Sequence, residues 1–379
     1  MNRLHISLLF FLMFFNASIY AQKKQELKLQ WTIAAELPVA ANGQAALGFA
    51  GMVAGLHDNK LLLAGGANFP DAMPWNGGKK KYSNELYVYA KKGNRFVLQQ
   101  KSKLPFSIAY AASCTTPKGI LFAGGENENG LSKRVYLLKV NQSMVTTTAL
   151  PDLPFAITNA AVTTIGNKIY LAGGETATAA SNQFLVLDLN DTIKGWQQLT
   201  PLPQQVSHTV LLSIATTIYF IGGRKKNSNG ISDLYSSVFE FNIQTNQWTE
   251  KQPLPYALSA GAGAVYQNKL LLFGGDKGAT FHRTEELIAA INNSKDANEK
   301  QRLTEEKAKL QTAHPGFSKE VLSYDIAKDT WQAVGDIPCA TPVTTTVVQW
   351  NDCFIIPSGE IKAGVRSPNI LSIKPQLRK

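Results

Sequence analysis

The chain has 379 residues, three cysteines and a net charge of +11, from 38 Lys and Arg against 27 Asp and Glu. The basic residues are scattered. The loop clusters GGKKK (77–81), KKGNR (91–95) and GGRKKN (222–227) lack the interleaved aromatics of a nucleic-acid face, so no nucleic-acid partner is expected. An odd cysteine count excludes a fully paired disulfide scaffold, and no CxxC, HExxH, Walker or GxSxG pattern occurs, so no metal site is expected.

Residues 1–21 read as a cleaved secretory signal. Arg3 is the charged start, residues 6–15 are the apolar stretch, and Ala17, Ser18 and Ala21 are the small residues near a cut. The apolar stretch is too short for a membrane span. The mature chain, 22–379, is expected to begin near Gln22, to have no membrane span, and to reside in the periplasm. Its basic balance suits an anionic small molecule at a convergent site.

Next, 27–33 reads as a strand carrying Trp31, followed by Leu37-Pro38. From there a pattern repeats six times. Apolar runs end in a Gly pair at LLLAGG, ILFAGG, IYLAGG, IYFIGG and LLLFGG, and in the degenerate FIIPSG. The second glycines are Gly66, Gly125, Gly174, Gly223, Gly275 and Gly359. Leu-Pro or Ile-Pro precedes each run, at Leu37, Leu104, Leu153, Leu202, Leu254 and Ile337. A β-rich unit of about 50 residues with this signature predicts an all-β, six-bladed kelch β-propeller, one four-stranded blade per repeat. Trp31, Trp196, Trp248 and Trp331, with Phe96 in the first full repeat, precede their Leu-Pro and read as packing between blades. After the last Gly pair only one more strand, 369–374, remains. The last blade is therefore expected to take its outer strand from 27–33, which removes a free sheet edge.

Two insertions account for the remaining length. One, 68–83, is rich in Pro, Gly and Lys. The other, 277–316, is rich in Glu, Lys, Ala and Leu and predicts two helices with a break at 292–296, a start near Thr284 and a stop at His314-Pro315-Gly316. It is either a solvated hairpin on the rim or a lid over the mouth. Cys339 and Cys353 read as opening two neighbouring strands of the last blade. A bridge between them stands beside the default of buried thiols.

The residues after the Gly pairs are Ala67, Glu126, Glu175, Arg224, Asp276 and Glu360. In a propeller these equivalent positions share one face near the axis, and five of the six are ionisable. Glu126 and Glu175 are expected to cap strands by bonding to neighbouring loops. In 358–366 (SGEIKAGVR), Glu360 and Arg366 lie on the two limbs of a hairpin. They are either a general acid/base beside a fixed cation or a plain ion pair.

This last element carries a resemblance. The chain resembles the cyclically permuted mutarotase family, related to the kelch-type N-acetylneuraminate epimerases (sialic acid mutarotases), whose Gly-Glu-x-Lys-x-Gly-x-Arg element matches Gly359 to Arg366. The segments at 48–51, 64–69, 81–83 and 222–242 also match, the last with Lys for a family Gly and Ser for a family Asn, and the helical insertion has a family counterpart. The similarity covers nearly the whole mature chain in rotated order. It implies an isomerase that interconverts the anomers of N-acetylneuraminate at C2 by acid/base ring opening and closing, with no cofactor needed. The implied catalytic residues are Glu360 and Arg366; Arg224, Asn68 and Lys362 are expected to bind the sugar acid. Two other readings stand beside this one: a non-catalytic propeller that binds a glycan or protein partner, and a mutarotase for another acidic sugar.

Overall fold

Six apolar runs decide how the sheets stack. The strands Lys60–Ala64, Gly119–Ala123, Lys168–Ala172, Thr217–Ile221, Lys269–Phe273 and Cys353–Pro357 are each buried at four or more consecutive positions. A strand buried on both faces needs a layer against each face, so each run sits inside a sheet sandwiched between two others. The structure, a computed structural model, describes residues 26–39, 43, 45–141 and 144–378. The expected signal at 1–21 and the cut near Gln22 lie outside the described residues.

The described residues form six four-stranded antiparallel blades. Blade 1 comprises Val53–His57, Lys60–Ala64, Glu85–Lys92 and Arg95–Lys103. Blade 2 comprises Ala112–Thr116, Gly119–Ala123, Val135–Asn141 and Met144–Leu150. Blade 3 comprises Ala161–Ile165, Lys168–Ala172, Phe184–Asp188 and the short Gln197–Gln198. Blade 4 comprises Val210–Ile214, Thr217–Ile221, Val238–Asn242 and Gln247–Lys251. Blade 5 comprises Ala262–Tyr266, Lys269–Phe273, Glu320–Asp325 and Thr330–Asp336. Blade 6 comprises Val348–Trp350, Cys353–Pro357 and Asn369–Arg378, with the N-terminal Glu26–Glu36 as its outer strand. Trp31 lies opposite Ile373 in that closing pair, and both strands extend beyond the spans read from the sequence.

The core divides into six clusters, one at each blade-to-blade interface. The expected packing aromatics sit in them. The indole N–H groups of Trp196, Trp248 and Trp331 donate to the carbonyls of Pro151, Thr200 and Gln252 on the preceding blade. Trp31 sets its edge on Phe273 of blade 5, and Phe96 stacks on Trp350 of blade 6.

At the axis a ring of backbone hydrogen bonds ties the blades, with side-chain bonds such as Ser113 to Ala54 and Ser213 to Thr164 beside it. Tyr110 N–H donates to Gly51 O, Asn159 to Tyr110, His208 to Asn159, Ala260 to His208, Thr344 to Ala260, and Gly51 to Thr344, at 2.8 to 3.2 Å. The six bonds close on themselves. All six residues have left-handed backbones, with φ between 51° and 65°, which turns each N–H toward the blade before it.

The Gly pairs serve a second set of ties. The second glycine of the pair donates to the next blade, as in Gly66 to Ile108, Gly125 to Ile157 and Gly359 to Phe49. The first glycine is left-handed and crowded: a Cβ on Gly124 would overlap the carbonyl of Ile157. Ser358 occupies this place in blade 6 at φ 55°. Its hydroxyl compensates by bonding Phe49 and Ser367.

Two sequence expectations are corrected. Cys339 and Cys353 are both free, as the default had it, and not bridged. Cys339 lies in a bend, not a strand, and packs at the blade 5–6 interface, whereas Cys353 packs at the blade 6–1 interface, so they occupy opposite faces of blade 6. In the helical insertion α1 spans Ala279–Asn293 and α2 spans Ala297–Thr312, with the break where it was expected. The start, however, is five residues before Thr284, whose hydroxyl bonds Thr280 O within the helix. A left-handed Gly278 begins the helix, and its N–H is held by Asp276.

Gly124 and Gly166 have similar left-handed backbones, φ 68° and 59°, but only Gly124 is crowded, because nothing lies near a Cβ on Gly166. Gly166→Ala should cost about 1 kcal/mol. Gly124→Ala should cost at least about 2 kcal/mol more, because a fixed carbonyl must move. Chemical denaturation of both variants checks this, and equal losses would show that the close blade approach is not what demands the pair.

Candidate active site

Each residue after a Gly pair is bridged to the residue just before a member of the axial ring: Ala67 to Ala50, Glu126 to Ala109, Glu175 to Thr158, Arg224 to Ser207, Asp276 to Ser259 and Glu360 to Val343. The ring therefore sets the radius and height of all six side chains. Glu126, Glu175, Arg224, Asp276 and Glu360 line one cavity of about 460 Å³, with Tyr110, Asn159, His208, Ala260 and Thr344 also in its lining. A cavity of this size suits a small polar ligand. The insertions supply more of the wall: Phe69, Pro74 and Lys80 from the first, and Thr280, Phe281, Thr284, Gln311 and His314 from the second, with Phe317 just after it.

Glu360 and Arg366 are cross-strand partners in the hairpin Glu360–Lys362/Val365–Arg366. Arg366 Nη1 lies 2.9 Å from Glu360 Oε1 but has no aligned hydrogen bond. Arg366 is buried, lies over the Phe69 ring at 5.3 Å, and its Nε is 3.4 Å from Ala67 O. The N–H of Gly364 donates to the same Glu360 Oε1 at 2.8 Å. Both contacts fall on Oε1, and among the described residues Oε2 has no hydrogen-bond partner. Gly364 is itself left-handed and closely approached by Pro74, which packs the first insertion against this turn.

The other charges pair locally. Glu126 accepts from Lys80 at 3.0 Å and from the Tyr82 hydroxyl at 2.8 Å. Burial and that hydrogen bond push the Tyr82 hydroxyl up to about 12. Burial pulls Lys80 down, but Tyr110 and Glu126 together hold it above its ordinary value. Glu175 accepts from Ser207 at 2.7 Å. Burial, with Arg224 beside it, holds His208 well below the usual histidine range. His208 is therefore neutral, and its Nε2 accepts from Arg224 Nη2 at 3.2 Å. Arg224 also stacks over Phe281 of α1 at 4.5 Å, and among the described residues no carboxylate pairs with it. Asp276 bonds the turn before α1.

Of the residues expected from sequence, Glu360, Arg366 and Arg224 line the cavity together. Asn68 and Lys362 do not. The Asn68 amide is bound to Gly48 O at 3.0 Å, as Asn127 is to Ser107 O one blade on, so it tethers a loop. Lys362 is exposed beyond the hairpin bulge. Glu126 and Glu175 do bond to neighbouring elements, yet both also line the cavity. The mouth is not basic: Lys80, Arg224 and Arg366 face Glu126, Glu175, Asp276 and Glu360, and the chain's surplus Lys lies elsewhere. Sequence reading missed Tyr110, Asn159 and His208. Each lies six residues after the Leu of its Leu-Pro, a column that would have revealed them. Among the described residues no cluster of His, Cys, Asp and Glu could hold a metal ion.

A family profile described as N-acetylneuraminate epimerase matches residues 16–147 and 150–377. The N-acetylneuraminate epimerase of Vibrio vulnificus is 39% identical over 126 residues, 30% of this chain and 32% of that protein. That of Brucella suis is 33% identical over 119 residues, 29% of this chain and 30% of its own, and that of Salmonella enteritidis is 25% identical over 144 residues, 38% and 37%. The matched segments thus span about a third of each relative. With the profile extending over nearly all of the chain, the protein belongs to the N-acetylneuraminate epimerase family.

Proposed function

We propose that the protein interconverts the anomers of N-acetylneuraminate at C2, by acid/base opening and reclosure of the sugar ring. The observation that carries this reading is the Glu360–Arg366 pair in a charged cavity, with Glu360 Oε2 uncommitted among the described residues. Glu360 takes the proton of the anomeric hydroxyl as the bond from C2 to the ring oxygen breaks and a proton is delivered to that oxygen. The keto form turns about C2–C3, and the reverse steps close it on the other face. Arg366 presents a planar fork to the C1 carboxylate, held rigid by Phe69 and Ala67. Arg224 offers a second guanidinium across the cavity. The charges converging on one mouth favour an enzyme over a binding module. The pattern of residues 1–21 supports export to the periplasm.

Glu360→Gln keeps shape and hydrogen-bond reach but cannot take up a proton. It should lower the anomerisation rate by about 10²-fold or more while the fold and most of the sugar affinity persist. The measurement is NMR of freshly released α-N-acetylneuraminate with and without protein; an undiminished rate would make the pair structural only. Arg366→Lys should weaken sugar binding by about 1–3 kcal/mol, because a point charge replaces a fork.

His208 faces Glu175, Ser207 and Arg224. Its folded pKa is depressed, so below its ordinary value near 6.5 the unfolded chain binds the extra proton. Stability should be full above that pH and fall as the pH drops through it. His208→Asn should flatten this fall, since Asn159 holds the equivalent left-handed site. Melting temperatures from pH 7.5 to 5 check this, and parallel curves for the two proteins would contradict it.

A further inference from the structure

Ring opening needs a proton donor as well as a base, and the mouth restricts the choice. Lys80 and Tyr82 are committed to Glu126. His208 accepts from Arg224, and His314 Nδ1 accepts from Gly316 N–H. Tyr110 is different. It lines the same cavity as Glu360 and Arg366. Both its N–H and its C=O belong to the axial hydrogen-bond ring, so its Cα cannot drift. Its ring packs where any side chain on Gly51 would stand, and the Lys80 ammonium lies 4.9 Å from its centroid. Among the described residues its hydroxyl donates to no protein acceptor, unlike that of Tyr82.

We propose that Tyr110 is the general acid that complements Glu360, an assignment that rests on the anomerase reading above. In the opening step Glu360 receives the proton of the C2 hydroxyl. The electrons of that O–H bond form the C2 carbonyl, the bond from C2 to the ring oxygen breaks, and the Tyr110 hydroxyl gives its proton to the departing oxygen. Closure reverses each transfer. Glu360 goes from anion to neutral as Tyr110 goes from neutral to anion, so the charge of the enclosed mouth does not change. Burial raises the Tyr110 pKa and keeps the phenol protonated at neutral pH. Lys80 and Arg366 act in the opposite direction on it and stabilise the phenolate while the keto form lasts.

Tyr110→Phe tests this, because it removes only the hydroxyl and keeps the aromatic face under Lys80. With N-acetylneuraminate as substrate, the expected result is a rate about 10²-fold lower, with affinity changed less than about twofold and an unaltered melting temperature. A wild-type protein that does not equilibrate the anomers removes both the function and this assignment. An active wild type with an equally fast Tyr110→Phe removes the assignment alone, as does a variant whose loss lies wholly in affinity.

Discussion

Six backbone hydrogen bonds, each from one blade to the blade before it, fix everything that happens at the mouth. A blade of four strands has no intrinsic reason to place a side chain within an ångström or so of its counterpart on another blade. The ring supplies that reason. Gly51, Tyr110, Asn159, His208, Ala260 and Thr344 are locked to one another, and the neighbour of each is bridged to a residue after a Gly pair. Ionisable groups from five blades thereby reach one cavity without any of them standing on a long loop. Positioning of this kind, on elements braced by packing, is what acid/base chemistry requires.

The mouth handles charge by local pairing. Lys80 neutralises Glu126, Arg366 neutralises Glu360, and Arg224 rests on an aromatic face and a neutral imidazole. A net-basic funnel would attract any anion. A mosaic of pairs with one guanidinium free of carboxylates discriminates by shape, since only a ligand presenting its own acid at the right spot gains without disturbing a pair. The helices contribute through α1. Glu285 is buried and accepts from the N–H and hydroxyl of Ser232, and this clamp to blade 4 sets where Phe281 meets Arg224.

The blade count, the closure by Trp31 and the Glu360–Arg366 hairpin were legible because each leaves a fixed residue type. Glycine is demanded where another backbone comes too close for a Cβ, tryptophan where one blade must reach the next. The ring column left no fixed residue type, only a spacing of six from the Leu of the Leu-Pro in blades 2 to 5. Its constraint is on φ, and Tyr110, Asn159, His208, Ala260 and Thr344 satisfy it with unrelated side chains. Asn68 and Lys362 sit in segments matched by motif but outside the cavity lining: one side chain is tied to a carbonyl and the other lies past a bulge. The start of α1 was displaced because a left-handed Gly278 preceded by Asp276 replaces the usual Ser or Thr cap. That the mouth carries no positive surplus could not be inferred from a net charge summed over the whole surface.

The seam in blade 6 bears on how the molecule comes apart. Open repeat arrays fray from their ends, where a terminal unit has one neighbour, and their stability is close to a sum of local terms. Here the pairing of Glu26–Glu36 with Asn369–Arg378 gives every blade two neighbours. No blade can detach without breaking two interfaces at once. Opening at any point therefore releases the whole circle, and the propeller behaves as one cooperative unit closed by the longest strand pairing it contains.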